Sequence, residues 1–331
     1  MGSFGKFAVL GGGSWATANA KMLLDTHESI VWYMRREEQI EQFKRQGRNP
    51  SYLSSVKFDT SRIEFTSDIN EVVRKADTLL WAMPSPFLKA HLSSLKEKIS
   101  DKFLISAIKG IVPDENLIMT DYFNQEYDVP YDQMAVLAGP CHAEEVAMEK
   151  LSYLTFGCKD RDKGKALCQE YNSLYIVANT TDDVEGLEIG SVMKNIFAIA
   201  AGICHGLKYG DNFQAVLLSN AIQEMNRFTN AAFPLQRNLN EGAYLGDLLV
   251  TSYSKFSRNR LFGTMIGKGY SVKAAQMEME MIAEGYYSTA CVHQMNDRFH
   301  VNLPITDAVF NILYNHISAA IEMRELGTKL R

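Results

Sequence analysis

Lys194 and Asn195 stand in the middle of a run, Glu188 to Leu207 (EIGSVMKNIFAIAAGICHGL), whose other residues are mostly small or apolar. A core helix has no packing use for an ammonium, because burying one without a partner costs several kcal/mol. Desolvation lowers a lysine's pKa, so a lysine kept there is suited to general-base work near neutral pH. Gly190, one turn earlier on the same face, leaves room for a flat ligand to approach. The competing reading is a lysine at the helix edge whose ammonium reaches water.

A second constellation opens the chain. The apolar run Lys6 to Leu10 is followed at once by Gly11-Gly12-Gly13-Ser14-Trp15-Ala16 and then by a helical stretch, Thr17 to Leu24. Strand, G-x-G-x-x-A, helix is the arrangement that receives a dinucleotide. Gly11 allows the tight turn, Gly13 lets the backbone reach a pyrophosphate, and Ala16 lets helix and strand pack closely. The unpaired N–H groups at the helix start attract the phosphates. The next strand, Ser29 to Met34, ends at Arg35-Arg36. An NAD-specific fold usually carries Asp or Glu at that place, whereas guanidinium groups suit a 2′-phosphate. NADPH is therefore expected to be accepted alongside or ahead of NADH. The alternative is a solvated turn, RREE.

Other candidates are weaker alone. Lys109 follows an apolar strand, and so does Gly139-Pro140-Cys141-His142-Ala143, whose turn precedes a helix and suits an anion or a substrate oxygen. Met83-Pro84-Ser85 closes another strand. Asp247 lies among apolar neighbours, and Ser257-Arg258-Asn259-Arg260 groups donors fit for a phosphate. Glu284 is read as an acid at a helix end. His142 and His205 are read as structural.

These residues need elements to hold them. Strands are expected at Thr78 to Met83, Phe103 to Ala107, Met134 to Ala138, Tyr153 to Phe156 and Leu174 to Ala178, with helices between several of them, as at Pro86 to Lys98. That alternation indicates a doubly wound, mostly parallel sheet. Strand signals then stop, and helices are expected at Glu188 to Leu207, Asp211 to Thr229, Ser271 to Glu284 and Thr306 to Glu322. Asp211 is the expected N-cap of the second, and Asp307 falls in the first turn of the last. The reading is α/β, with a domain at 1–185 and an all-α domain at 186–331.

Composition narrows the function classes. The 331 residues carry 34 basic and 39 acidic side chains, a net charge of −5, and show no basic block, so nucleic-acid binding is not expected. The strand begins almost at once, leaving no room for a signal peptide. Lys, Asn and glycines interrupt the apolar helix, so no membrane span is expected. Five scattered cysteines form no pair at ligand spacing, which implies a reduced, cytoplasmic protein without a metal.

Taken together, the chain resembles the bacterial-type NAD(P)-dependent glycerol-3-phosphate dehydrogenases over nearly its whole length. The matching blocks are GGGSWATA (11–18), MPS (83–85), KG (109–110), AGPCHAEEVA (138–147), GSVMKNIFAIAAGICHGL (190–207), the Gly-Asp of 246–247, SRNRLFG (257–263), AEGYYST (283–289) and LPITDAV (303–309). The resemblance implies a Rossmann-type N-terminal domain and an all-α domain like that of 6-phosphogluconate dehydrogenase. It implies hydride transfer between NAD(P)H and dihydroxyacetone phosphate, giving glycerol 3-phosphate for phospholipid synthesis. Lys194 would be the proton acceptor, and Lys109 would contact substrate and cofactor. Gly139, Cys141, Asp247, Ser257, Arg258 and Asn259 would bind the substrate. Ser14, Trp15, Arg35, Ala143, Arg258, Ile282 and Glu284 would face the dinucleotide, beside the Gly11 and Gly13 turn and Arg36. The partner would be a small phosphorylated substrate, and a homodimer is among the expected assemblies.

The chain departs from the family at Cys141-His142, where Ser/Thr-Phe is usual and a thiol donates more weakly than a hydroxyl. Tyr244-Leu245 replace a glycine-rich lead into Gly-Asp. Two other readings compete. A ketopantoate reductase-like or hydroxyacid dehydrogenase would not need the Ser257 to Arg260 cluster. A non-catalytic dinucleotide sensor would not need Lys109, Lys194 and Asp247 together.

Overall fold

Short apolar runs separated by helical stretches become eight strands: β1 Phe7–Leu10, β2 Ile30–Tyr33, β3 Ile63–Thr66, β4 Thr78–Trp81, β5 Phe103–Ser106, β6 Met134–Ala138, β7 Ser152–Cys158 and β8 Ile176–Thr181. The computed structural model describes residues 4–279 and 281–331. The strands form one sheet in the order β3-β2-β1-β4-β5-β6-β7-β8. Neighbours are parallel except β6 and β7, which pair antiparallel with Leu137 opposite Phe156. The chain runs outward from β1 to β3, then returns to β4 on the other side of β1. Ligands of such sheets bind beyond the carboxyl ends of the strands at that reversal. Strands β1, β2, β4, β5 and β6 are buried along their whole length, as strands covered on both faces must be. β3 escaped the sequence reading because Glu64 and Phe65 are not buried and the run is only four residues long.

The chain divides into two compact units, Met1–Ile108 with Met119–Val184, and Lys109–Ile118 with Glu185–Arg331. The segment Lys109–Ile118, read above as part of the N-terminal domain, belongs with the helical unit. Hydrogen bonds help to hold it there: Asn195 Nδ2 donates to the Lys109 carbonyl at 3.1 Å, and Asn116 Nδ2 donates to Gln294 Oε1 at 3.0 Å.

The second unit is helical, and three expected boundaries are corrected. Helix Asp211–Ala232 is capped by Gly210, so Asp211 is its first residue and its carboxylate faces the helix dipole instead of capping it. The run Ser271 to Glu284 is a helix only over Val272–Glu278, and a new helix, Glu284–Phe299, opens at Glu284. Glu284 therefore begins a helix. Its neighbour Gly285 packs so closely that a Cβ there would lie 2.7 Å from the Asn195 carbonyl oxygen, which fixes the new start. The run Thr306 to Glu322 is two helices, Pro304–Leu313 and Ala319–Lys329. The chain turns between them at His316, whose φ is 56°. In the first unit, Pro86 to Lys98 likewise shrinks to a 3₁₀ turn, Ser85–Phe87, and a short helix, Leu88–Leu92.

Helix Val184–Gly206 carries Lys194. It is the one described helix long and apolar enough to cross a membrane, and its apolar window is wholly buried in the protein. It meets helix Arg258–Gly267 through glycines. A Cβ at Gly202 would lie 2.1 Å from the Arg260 carbonyl oxygen, and one at Gly263 would lie 2.1 Å from that of Ile199. Gly206 and Gly267 extend the seam, so the backbones touch along it.

Glu224 ties two other helices together. Its carboxylate, with 0% exposure, accepts from the backbone N–H groups of Ile305 and Thr306 at 2.8 and 2.9 Å, and from the Thr306 hydroxyl at 2.7 Å. Burial pushes its pKa up to about 7, against these donors and the charge of Arg227. The folded protein thus holds this proton more tightly than the unfolded chain does. The stabilisation is complete below the usual carboxylate range and is lost as pH rises through about 7. Each unit of pKa is worth about 1.4 kcal/mol. Denaturant unfolding at pH 5 and pH 8 is expected to show that wild type loses about 2.5 kcal/mol more than Glu224→Gln over that interval. Parallel losses in the two proteins would contradict it.

Candidate active site

The glycine turn sits at the carboxyl end of β1. Gly11 has φ 137°, and a Cβ there would press to 2.4 Å from the Ala82 carbonyl oxygen, so only glycine fits. The turn is held from behind. Trp32 Nε1 donates to the Gly11 carbonyl at 2.8 Å, and Gln39 Nε2 and Asn49 Nδ2 donate to the Gly12 carbonyl at 2.9 and 3.1 Å. Asn49 also bonds Thr17 Oγ1 at 2.8 Å. With its carbonyls tied back, the turn presents the start of helix Ser14–Thr26, where Gly13 is the N-cap and no side chain caps the N–H groups. Nothing lies within 4 Å of a Cβ placed on Gly13. Open approach, a helix start without a side-chain cap and a left-handed glycine together fit a pyrophosphate. Ser14 is buried at the helix start and Trp15 half-buried beside it.

Arg35 and Arg36 follow β2, and both are exposed. Arg36 is the N-cap of helix Glu37–Gln46 and makes no side-chain cap bond. At the end of β6, Gly139 has φ 121°, and a Cβ there would meet the Tyr153 carbonyl oxygen at 2.8 Å. Cys141 is 6% exposed and shares the first unit's apolar cluster with Val146 and Tyr175. Ala143 opens a short helix, Ala143–Ala147, two residues after it. All these residues belong to the first unit.

The second unit brings together Lys109, Lys194, Asp247 and Asn259. Lys194 and Asp247 form an ion pair, with only 4% and 2% of their side chains exposed. Thr251 Oγ1 donates to the other Asp247 oxygen at 3.3 Å. The partner that a buried lysine requires is therefore a carboxylate 53 residues away. The resemblance assigns Asp247 to the substrate, and in this structure its carboxylate pairs with the lysine. A turn of π-helix, Gly242–Gly246, leads directly into Asp247 and helix Asp247–Tyr253. Gly190 does not open the helix to a ligand: the Tyr244 ring fills that place, 3.1 Å from where a Cβ would stand.

Asn195 turns the other way and builds a chain of amides. Its Nδ2 donates to the Lys109 carbonyl, and its Oδ1 accepts from Asn259 Nδ2 at 2.9 Å. Asn259 Oδ1 in turn accepts from the Gly285 N–H at 2.9 Å, next to Glu284. The asparagine expected to grip substrate is thus tied at both ends. Ser257 caps helix Arg258–Gly267 by accepting from the Arg260 N–H at 3.3 Å. Arg258 is half-buried with Nη1 3.8 Å from Met281 Sδ. Ile282 lines a cavity of about 280 Å³ with Phe262, Met279, Met281, Tyr286 and Tyr287. Asn195, Thr251, Trp32 and Asn49 were missed as site residues. Only Asn195 carried a signal, a polar residue inside an apolar helix. Among the described residues no His, Cys, Asp and Glu cluster is arranged to hold a metal ion.

Comparison with known proteins adds to this geometry. Two family models match the chain: the N-terminus of NAD-dependent glycerol-3-phosphate dehydrogenase over residues 6–164, and its C-terminus over residues 183–324. A Bacillus subtilis (strain 168) glycerol-3-phosphate dehydrogenase [NAD(P)+] is 34% identical over 327 residues, covering 96% of this chain and 93% of the relative. One from Lysinibacillus sphaericus is 31% identical over 98% of this chain and 97% of its own. Among solved structures, glycerol-3-phosphate dehydrogenase from Coxiella burnetii superposes with a TM-score of 0.89 at 27% identity, covering 97% of this chain and 98% of that one. A 2-dehydropantoate 2-reductase from Porphyromonas gingivalis, at 13% identity, superposes with a TM-score of 0.55 and shares the fold alone.

Proposed function

The chain belongs to the NAD-dependent glycerol-3-phosphate dehydrogenase family, and from that premise we propose that it interconverts dihydroxyacetone phosphate and glycerol 3-phosphate with a nicotinamide dinucleotide. The observation that carries the reading is the buried pair of Lys194 and Asp247, beside an asparagine that ties down the backbone of Lys109. The bound nicotinamide supplies or accepts the hydride at C2 of the substrate. Every other task falls to side chains. Lys194 takes the C2 hydroxyl proton in the oxidising direction and returns it to the forming alkoxide in reduction. Asp247 orients the Lys194 amino group and balances its charge once the proton has been taken up. Lys109 adds positive charge next to the oxygen where negative charge develops. Arg258, with Ser257 at the same helix start, grips the phosphate remote from the reacting carbon, and this binding energy orients the substrate.

The glycine turn holds the pyrophosphate, and the family resemblance assigns Ser14, Trp15, Ala143, Ile282 and Glu284 to the dinucleotide. Arg35 and Arg36 lie at the end of β2 and receive a 2′-phosphate, so NADPH is accepted and favoured over NADH. The five buried free thiols fit a reducing, cytoplasmic setting. A supply of glycerol 3-phosphate to phospholipid synthesis follows from the reaction proposed. The Ser257–Arg258 pair favours a phosphorylated substrate over the carboxylate of a ketopantoate-type reductase.

The test is absorbance loss of NADPH, and separately of NADH, on adding dihydroxyacetone phosphate. Rapid oxidation is expected with both, with a lower KM for NADPH. Replacing Arg35 and Arg36 by serine is expected to raise the NADPH KM about tenfold or more and to leave that for NADH within about twofold. A strong NADH preference in wild type would refute the arginine assignment. No oxidation of either cofactor would refute the substrate.

A further inference from the structure

Resting on the reading that the first unit holds a nicotinamide dinucleotide, we propose that His91 is a second recognition residue for the phosphate-bearing ribose of NADPH, presented by Tyr33 and acting beside Arg35. Tyr33 is the last residue of β2, and His91 lies on helix Leu88–Leu92, which leaves the carboxyl end of β4 through Pro84 and the turn Ser85–Phe87. In the sheet, β2 and β4 flank β1 on either side. The Tyr33 hydroxyl and His91 Nδ1 are 3.2 Å apart, and their rings meet edge to face with centroids at 5.6 Å. This pair therefore links the end of β2 to the segment that follows β4, the two strands that flank β1 and its Gly11 turn. Crevices at that place take the adenosine half of a dinucleotide.

The chemistry of the pair fits a phosphate reader. Burial first, then the neighbouring Arg35 charge, pushes the His91 pKa down to about 4, so the ring is neutral at physiological pH. Burial likewise pushes the Tyr33 hydroxyl up, opposed by Arg35 and helped by Asp68, so the phenol keeps its proton. Arg35 after β2 and Asp68 at the cap of helix Ile69–Lys75 are the charged groups that act on this pair. In the proposed arrangement the hydroxyl donates to Nδ1, which leaves the imidazole proton on Nε2. That nitrogen makes no hydrogen bond among the described residues, and it is a donor without a charge of its own. A 2′-phosphate drawn in by Arg35 offers it an acceptor. A plain ribose hydroxyl offers a weaker one.

The test uses 2′,5′-ADP and 5′-AMP as probes, their dissociation constants measured by calorimetry on the full-length protein. Wild type is expected to bind 2′,5′-ADP more tightly. His91→Asn keeps a polar atom for the Tyr33 hydroxyl and removes Nε2. It is expected to weaken 2′,5′-ADP about tenfold and 5′-AMP less than about twofold, the loss typical of a hydrogen bond to a charged group. Tyr33→Phe is expected to move the ratio in the same direction. Equal weakening of both probes, or none, overturns the proposal while leaving Arg35 and Arg36 standing. Equal affinity of wild type for both probes overturns the NADPH reading and this one with it. The ¹⁵N resonances of His91 in wild type supply a check that needs no variant: 2′,5′-ADP is expected to shift Nε2, and a silent imidazole under saturating 2′,5′-ADP overturns the proposal.

Discussion

Lys194→Ala is expected to lower kcat by at least 10²-fold and toward 10⁴-fold, the range attached to a positioned acid–base group. The loss has two origins that one substitution does not separate. Removing the ammonium takes away the proton carrier, and it also strands Asp247, which is 2% exposed and whose remaining bond is from Thr251 at 3.3 Å. Breaking one side of a buried ion pair costs about 3–5 kcal/mol, so the single variant will also melt earlier. Lys194→Met combined with Asp247→Leu removes both charges and fills the space. It is expected to regain most of the stability and none of the rate. Steady-state kinetics beside thermal unfolding reads both quantities. If Lys194→Ala keeps more than about a tenth of wild-type kcat, general acid–base catalysis at this residue is excluded.

Gly263→Ala is expected to destabilise the protein by about 3 kcal/mol or more, where helix propensity alone predicts a gain of about 1 kcal/mol for alanine over glycine. The reversal comes from what the methyl group meets. At Gly263 it would stand 2.1 Å from the Ile199 carbonyl oxygen, and at Gly202 it would stand 2.1 Å from that of Arg260. Both obstacles are backbone, which cannot rotate aside as a side chain can. The two helices must part, and with them Asn195 from Asn259. Gly202→Ala is expected to behave alike, while Gly242→Ala, with nothing within 4 Å, stays within about 0.5 kcal/mol of wild type. Melting temperatures of the three variants decide the matter. An unchanged melt for Gly263→Ala would mean that the seam is looser than drawn.

Features encoded by neighbouring residues were legible in the sequence. The glycine turn sits between a strand and a helix within ten residues of the same stretch, and apolar runs such as Met134–Ala138 have only one use in an α/β domain. The burial of Lys194 followed from its apolar surroundings. What stabilises it did not, because Asp247 is 53 residues away and its acid reads like any other until the π-turn brings it round. The same holds for Glu224, whose acceptor role involves Thr306, 82 residues on. Trp32 looked like one more strand residue, although its indole N–H fastens the glycine turn from behind. Helix ends were misread where tertiary contacts decide them. The methionine-rich stretch before Glu284 continues the helical composition, yet the Gly285–Asn195 contact sets where the next helix starts.

The membership of residues 109–118 in the helical unit bears on how the protein is made. The chain leaves the first unit after Ile108, contributes this short segment, and re-enters at Met119. On the ribosome Lys109 emerges well before Asn195, and Asn116 well before Gln294, the side chains that anchor the segment. Synthesis runs at roughly 5–20 residues per second, so the segment waits for seconds with its partners unmade. A fragment starting at Glu185 would fold without Lys109, and one ending at Val184 would carry that lysine unmoored. Competence for chemistry thus arrives late in translation, when the C-terminal helices close on a strand of chain laid down long before.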